Sequence, residues 1–320
     1  MRAWRERLTV TDYGLVVGFL LLCAFLAVLS PSFLSATNLL NVARQVAVNA
    51  LLAAGQTFVI LTAGIDLSVG SALALSGAVA AGTMVQHGMA AGILAGLLTG
   101  LLVGAFNGLV VTRLGIPDFI VTLAMLSAAR GLTLIYTNGL PIGNLPPAFL
   151  TIGGGYLGPI PIPVLLMLLV YLVAYLVLRT TAFGRYVYAV GGNRKAAAYA
   201  GIPVRRVRLA AYLISGFLAA VAGIVLTSRL ATADPQAGTG YELDSIAAVV
   251  LGGTSLFGGE GQVLKTLLGA LILGVLGNGM NLLNVSPFYQ EVVKGIVILL
   301  AVALGNLKEL RRLLSSGEAG

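Results

Sequence analysis

Long apolar runs alternate with short polar breaks along nearly the whole chain. A helix needs about 20 apolar residues to cross the hydrocarbon core of a bilayer. Candidate spans lie near 13–29, 45–62, 68–86, 90–111, 118–136, 162–178, 209–229, 244–256, 263–283 and 291–307. The eighth is short and rich in glycine, so it reads as broken or re-entrant. Irregular backbone at membrane depth is tolerated only inside protein or along a cavity. The pattern predicts an all-α polytopic membrane protein of about ten transmembrane helices, forming a single transmembrane domain over residues 1–320.

The apolar segments are crowded with glycine and alanine, as in "GILAGLLTGLLVGAFNG" and "LLGALILGVLGNGMNLL". Small residues three or four apart let helices approach closely, within one bundle or between two copies. The two stretches are weakly alike. Each follows a segment with an acidic residue and glycines, "IDLSVGSALALSGAVAAG" and "LDSIAAVVLGGTSLFGG". Transporters are often built from two related halves around a central path.

Composition agrees with lipid as the solvent. The chain is 58% hydrophobic and 9% charged, with mean hydropathy +0.99, whereas soluble domains carry roughly 25% charged residues. The net charge of +8 admits nucleic acid or anionic lipid as a partner, but no basic surface is interleaved with aromatics. Topology accounts for the charge better. With ten spans, Arg2, Arg5, Arg7, Arg113, Arg179, Arg185, Arg194, Lys195, Arg205, Arg206, Arg208, Lys265, Lys308, Arg311 and Arg312 all fall on one side. Only Arg44, Arg130, Arg229 and Lys294 do not. Cationic loops stay inside, so both termini are expected in the cytoplasm of a bacterial inner membrane. Arg130 and Lys294, at span ends, are expected to snorkel or pair, Lys294 with Glu291 three residues before it. The single Cys, Cys23, and single His, His87, exclude an internal disulfide and a Cys/His metal cluster. The basic, then apolar N-terminus resembles a signal peptide, but no clear small-residue cleavage site follows, which favours an uncleaved first helix.

The outward loops hold little positive charge. Residues 138–163 contain six of the 11 prolines and no Lys or Arg, which gives a rigid irregular cover. "TADPQAGTGYELD" at 232–244 is short and acidic. Both suit docking of an external protein, or are plain connections. The inward loop 179–208, "RTTAFGRYVYAVGGNRKAAAYAGIPVRRVR", is more pointed. Its "GG" predicts a turn, Asn193 an N-cap, and "RKAAAYA" a helix. Gly201 and Pro203 stop it. One helix of about two turns is marginal in water, so it needs a surface: lipid headgroups, or a cytoplasmic partner.

Three stretches together, "TAGIDLSVGS", "GRYVYAVGGNRKAAAYAGI" and "IAAVVLGGTSLFGGEG", resemble the permease subunits of ribose-type sugar ABC importers, which include those for xylose, galactose and autoinducer-2. The likeness runs from about residue 38 to 307. It implies a membrane subunit that pairs with a second permease copy. A cytoplasmic ABC ATPase would dock below and an extracytoplasmic sugar-binding protein above. It also implies that the coupling helix covers Asn193, Arg194, Lys195, Ala196, Ala197, Ala198, Tyr199, Ala200 and Gly201. The residues agree on one point: no G-x-x-x-x-G-K-[ST] phosphate loop is present. The chain is therefore expected to carry no cofactor and to be no enzyme, with ATP and Mg held by the partner.

A path for a neutral sugar needs uncharged polar groups that replace water. Candidates within spans are Asn49, Gln56, Ser76, Asn107, Thr122, Ser127, Asn278 and Asn281, although such residues also simply bond neighbouring helices. Asp66 is the one ionisable residue between Val46 and Val85. It could be the coupling acid of a proton- or sodium-driven secondary transporter, the leading alternative. It could line the path with Ser68. The reading preferred from the residues is scaffolding: Asp66, helped by Ser68 and a sharp turn at Gly64, caps the buried start of the third span.

Overall fold

The computed structural model describes residues 10–297, 299, 300 and 303. Arg2, Arg5, Arg7, Lys308, Arg311, Arg312 and the end of the 291–307 span lie outside them. The long helices, in chain order, are α1 (Val10–Leu29), α2 (Ala36–Leu61), α3 (Val69–His87), α4 (Met89–Leu109) and α5 (Asp118–Thr137). The last turn of α4 widens over Val110–Leu114. Then come the short α6 (Pro147–Gly154), the two-residue strands β1 (Tyr156–Leu157) and β2 (Ile160–Pro161), and α7 (Ile162–Thr180). After them follow α8 (Ala182–Gly192), α9 (Arg194–Tyr199), α10 (Val204–Leu230), α11 (Tyr241–Leu251) and α12 (Val263–Leu282). A last helical stretch, α13, runs over 287–297. Seven of these, α2 to α5, α7, α10 and α12, are long and apolar enough to cross a membrane, and α1 contributes a shorter apolar stretch, Gly14–Leu29, among the described residues. The architecture is an all-α polytopic membrane bundle.

Several boundaries differ from the apolar pattern, each for a physical reason. α2 starts nine residues before 45, because Ser35 caps it by accepting from the Asn38 N–H at 3.3 Å. α10 starts at Val204 rather than 209, so "RRVR" is helical. α11 ends at Leu251, short of 256, where Gly252 and the left-handed Gly253 (φ +78°) break it. Eleven residues rise about 16 Å, half of a bilayer core of about 30 Å. The eighth segment is thus a half-length helix.

α10 is the axis of the bundle, packed on α2, α3 and α4. Its approach to α4 is backbone against backbone: a Cβ on Gly104 would strike the Tyr212 carbonyl, and one on Gly216 the carbonyl of Gly100. The two glycine-rich stretches pack in parallel ways. Gly92 and Gly96 of α4 lie against Ala80 of α3, and Gly269 of α12 lies against Ala248 of α11.

The two ends of the bundle differ in charge. One end carries 62–64, 110–117, 179–208 and 252–265, and with them Arg113, Arg179, Arg185, Arg194, Lys195, Arg205, Arg206, Arg208 and Lys265. The opposite end carries the proline-rich cover. There Ile142 and Ala233 bridge reciprocally at 3.0 and 2.9 Å, joining the 138–163 and 232–240 loops. Arg130 is anchored to this cover. Its Nη1 donates to the carbonyls of Pro235 (2.5 Å) and Ala237 (3.0 Å), with the carboxylates of Glu242 and Asp234 near enough to favour its charge. Beyond Ala237 the chain turns inward, where Gly238 meets Gly70 at the start of α3, and then enters α11.

Candidate functional site

The Asp66 turn is sunk in the bundle. α2 unwinds at Thr62, and Ala63 (φ 58°) takes the left-handed conformation while Gly64 donates back to Val59. The sharp residue is therefore Ala63. Gly64 is required instead for room, because the Asp118 carboxylate and the Tyr212 hydroxyl stand where its Cβ would be. Asp66 is 1% exposed. Its Oδ1 accepts from the Ser68 N–H (3.0 Å) and Ser68 Oγ (2.6 Å), and its Oδ2 from Ser215 Oγ (2.8 Å). Asn107 Nδ2 donates to Ser68 Oγ at 2.8 Å. The Gln56 amide faces the Asp66 backbone; with its oxygen toward the N–H and its nitrogen toward the carbonyl it closes two bonds of 3.2 Å. Ser215 is 11 residues into α10, about 16 Å from that helix's start. At such depth bulk water is not at hand, and side chains must supply the partners of a carboxylate. Ser215, 149 residues away in sequence, has no local signal that would have named it.

The loop between α7 and α10 closes over this turn. It forms two helices, where one was expected. Gly191 and Gly192 are helical rather than a turn, because Gly191 lies flush on the Leu61 carbonyl and the Gly259 backbone, where no side chain fits. Asn193 caps α9 by accepting from the Ala196 N–H at 3.0 Å. Left-handed Gly201 ends it, with Ile202 N–H bonding the Ala197 carbonyl and Gly201 N–H that of Ala198. Arg194 then reaches back: its Nη2 donates to the carbonyls of Thr62 (3.2 Å) and Ala63 (2.7 Å). Burial pulls the Arg194 guanidinium below its ordinary value, Arg208 adds to this, and Asp118 opposes it.

The third stretch meets the other two here. Gly259 N–H donates to the Leu61 carbonyl (3.0 Å), and Tyr188 Oη to that of Gly261 (3.0 Å). On the far side Arg208 grips Asp118 through both carboxylate oxygens at 2.5 and 2.6 Å. Thr122 Oγ1 donates to the Ile65 carbonyl at 3.2 Å. "TAGIDLSVGS", the α8–α9 loop and "GGTSLFGGEG", far apart in sequence, thus form one contact zone.

The candidate residues divide accordingly. In α9 only Ala197 is buried, at 5% exposure, facing the bundle. Lys195, Ala196, Ala198, Ala200 and Gly201 are exposed, and Tyr199 is 92% exposed. Asp66, Ser68, Gln56 and Asn107 form one cluster. Asn278 belongs elsewhere, exchanging hydrogen bonds of 2.9 and 3.0 Å with Asn38. Asn49 lines a separate cavity. Asp118 and Arg208 were not singled out from sequence, since only the fold brings them together. Among the described residues no group of His, Cys, Asp and Glu could hold a metal ion.

A family profile described as "Branched-chain amino acid transport system / permease component" matches residues 38–302. The ribose import permease protein RbsC of Bacillus subtilis (strain 168) is 53% identical over 299 residues, covering 92% of each chain. RbsC of Escherichia coli (strain K12) is 48% identical over 299 residues, 92% of this chain and 93% of its own. The D-allose transport system permease protein AlsC of the same strain is 39% identical over 298 residues, 92% and 91% of the two chains. No solved structure matches significantly.

Proposed function

The chain belongs to this family of permease components, and from that premise we propose that it is the membrane-spanning subunit of an ABC importer for a monosaccharide, ribose first among the candidates. The observation that carries this is the identity of 53% to a ribose import permease across nearly all of both chains. It is a multi-pass protein of the bacterial inner membrane. Ten spans, counting α1, α11 and α13, with both termini inside, are supported by the gathering of the cationic residues at one end of the bundle. That end faces a cytoplasmic ATPase subunit, which binds ATP and Mg. The proline-rich cover faces the sugar-binding protein that delivers the solute, and a second permease copy completes the pore.

In this reading Tyr199 and its exposed neighbours meet the ATPase, while Arg194 ties their movement to the Asp66 turn. Asp66 itself is structural: its acceptor positions already take three donors. Reconstitution tests the whole. Permease, ATPase and binding protein in proteoliposomes should take up radiolabelled ribose only with ATP inside the reach of the ATPase. Uptake that persists without ATP and collapses with an uncoupler would instead establish a secondary transporter.

A further inference from the structure

Polar side chains inside the bundle are mostly consumed by one another, as around Asp66 and between Asn38 and Asn278. One place differs. Between α2, α11, α12 and α13 lies a cavity of about 80 Å³ whose polar lining is Gln45, Asn49, Asp244, Asn281, Gln290 and Lys294, the rest of its wall being apolar side chains and glycine. Asn49 is one of its lining residues, and the side-chain oxygen Oδ1 of Asn49 is buried with no hydrogen-bond partner among the described residues. Gly277 borders open space: no atom stands within 4 Å of where its Cβ would be. Asn281 is held in place by Gln290 Nε2 at 2.8 Å. The one cation, Lys294, is matched by Glu291 at 3.1 Å and Asp244 at 3.5 Å.

The polar part of the wall is thus four amides, each both donor and acceptor, beside an ion pair that neutralises the cation. Amides of this kind replace the water bonds of hydroxyl groups without favouring either sign of charge. A buried polar group in a spanning segment without a protein partner points to function. We propose that this cavity is where the permease touches its passing solute, a neutral polyhydroxylated molecule, with the amides of Asn49 and Asn281 as partners and Gly277 keeping the passage clear. The proposal rests on the import reading above. The volume is far below the roughly 300–1,000 Å³ of a ligand pocket. The cavity is thus the closed form of a passage, not a tight binding site, in keeping with the weak hold that release demands.

The test uses the assembled importer in proteoliposomes, with ribose uptake and ATP hydrolysis read in the same vesicles. Gly277→Leu should cut uptake roughly tenfold or more, the scale of a small misfit in a pocket, while hydrolysis stimulated by the loaded binding protein persists. Gly277→Ala, adding one carbon to open space, should lose less, which separates lost room from lost fold. Asn49→Leu should change the ratio of ribose to allose uptake. Full uptake in Gly277→Leu, an unchanged ratio in Asn49→Leu, or parallel loss of uptake and hydrolysis in all three variants overturns the proposal alone. An unaltered permease that imports no sugar removes the import reading and the proposal together.

Discussion

Arg194→Ala isolates the link between the exposed α9 helix and the buried turn. It deletes two hydrogen bonds from a guanidinium to the carbonyls of Thr62 and Ala63. A hydrogen bond to a charged group contributes about 1.5–3 kcal/mol. Arg194 is partly solvent-exposed, so that range serves for the pair rather than for each bond. At about 1.4 kcal/mol per factor of ten, the docked state weakens roughly 10- to 150-fold. The remaining anchors, Gly259 on Leu61 and Tyr188 on Gly261, keep the loop folded. ATP hydrolysis should therefore continue in the reconstituted importer while sugar moved per ATP falls. Amide exchange at Ala63 and Gly64, which donate to Ile60 and Val59, should speed up in the purified permease. Arg194→Lys, with one ammonium in place of a fork, should lie between. An unchanged ratio of uptake to hydrolysis together with unchanged exchange would refute the reasoning.

Other substitutions probe separate parts of the argument. Asp66→Asn keeps an acceptor for Ser68 and should insert and retain part of the uptake, whereas a coupling acid would lose all concentrative transport. Asp66→Leu strands the hydroxyls of Ser68 and Ser215, at about 1–3 kcal/mol for each buried group left unpaired, and should lower the melting temperature of the purified permease. Gly104→Leu forces α4 off the backbone of α10; monodisperse protein at normal yield would contradict that packing. Tyr199→Ala, at a 92% exposed position, should leave the stability of the isolated permease within about 0.5 kcal/mol yet weaken capture of the ATPase, measured by co-purification.

Helices and caps were legible in the sequence because their causes are local. Apolar runs marked the spans. Asn193 and Gly201 marked the ends of α9, since a side-chain acceptor and a left-handed residue act within a few positions. Tertiary contacts were not legible. Gly191 reads as a turn until the Leu61 carbonyl is seen pressed against it, and "RRVR" reads as loop until Arg208 is seen holding Asp118. Arg130 looks like a misplaced charge, and only the fold brings it the carbonyls of Pro235 and Ala237. The Asp66 cluster was half visible: four of its members stood out as polar residues in apolar segments, but Ser215 was one serine among many.

The half-length α11 has a further consequence. Its first turn hangs from the stitched cover, through Arg130 and the Ile142–Ala233 bridge. Its far end runs into the glycine loop that rests on α2 and α8. In the proposed importer this segment lies between the faces assigned to the two soluble partners, so their binding is open to coupling. Whatever factor a protein landing on the cover contributes to ATPase affinity at the opposite end, the ATPase must return to that protein undiminished. Titrating the affinity of each partner with and without the other would give one number measured twice.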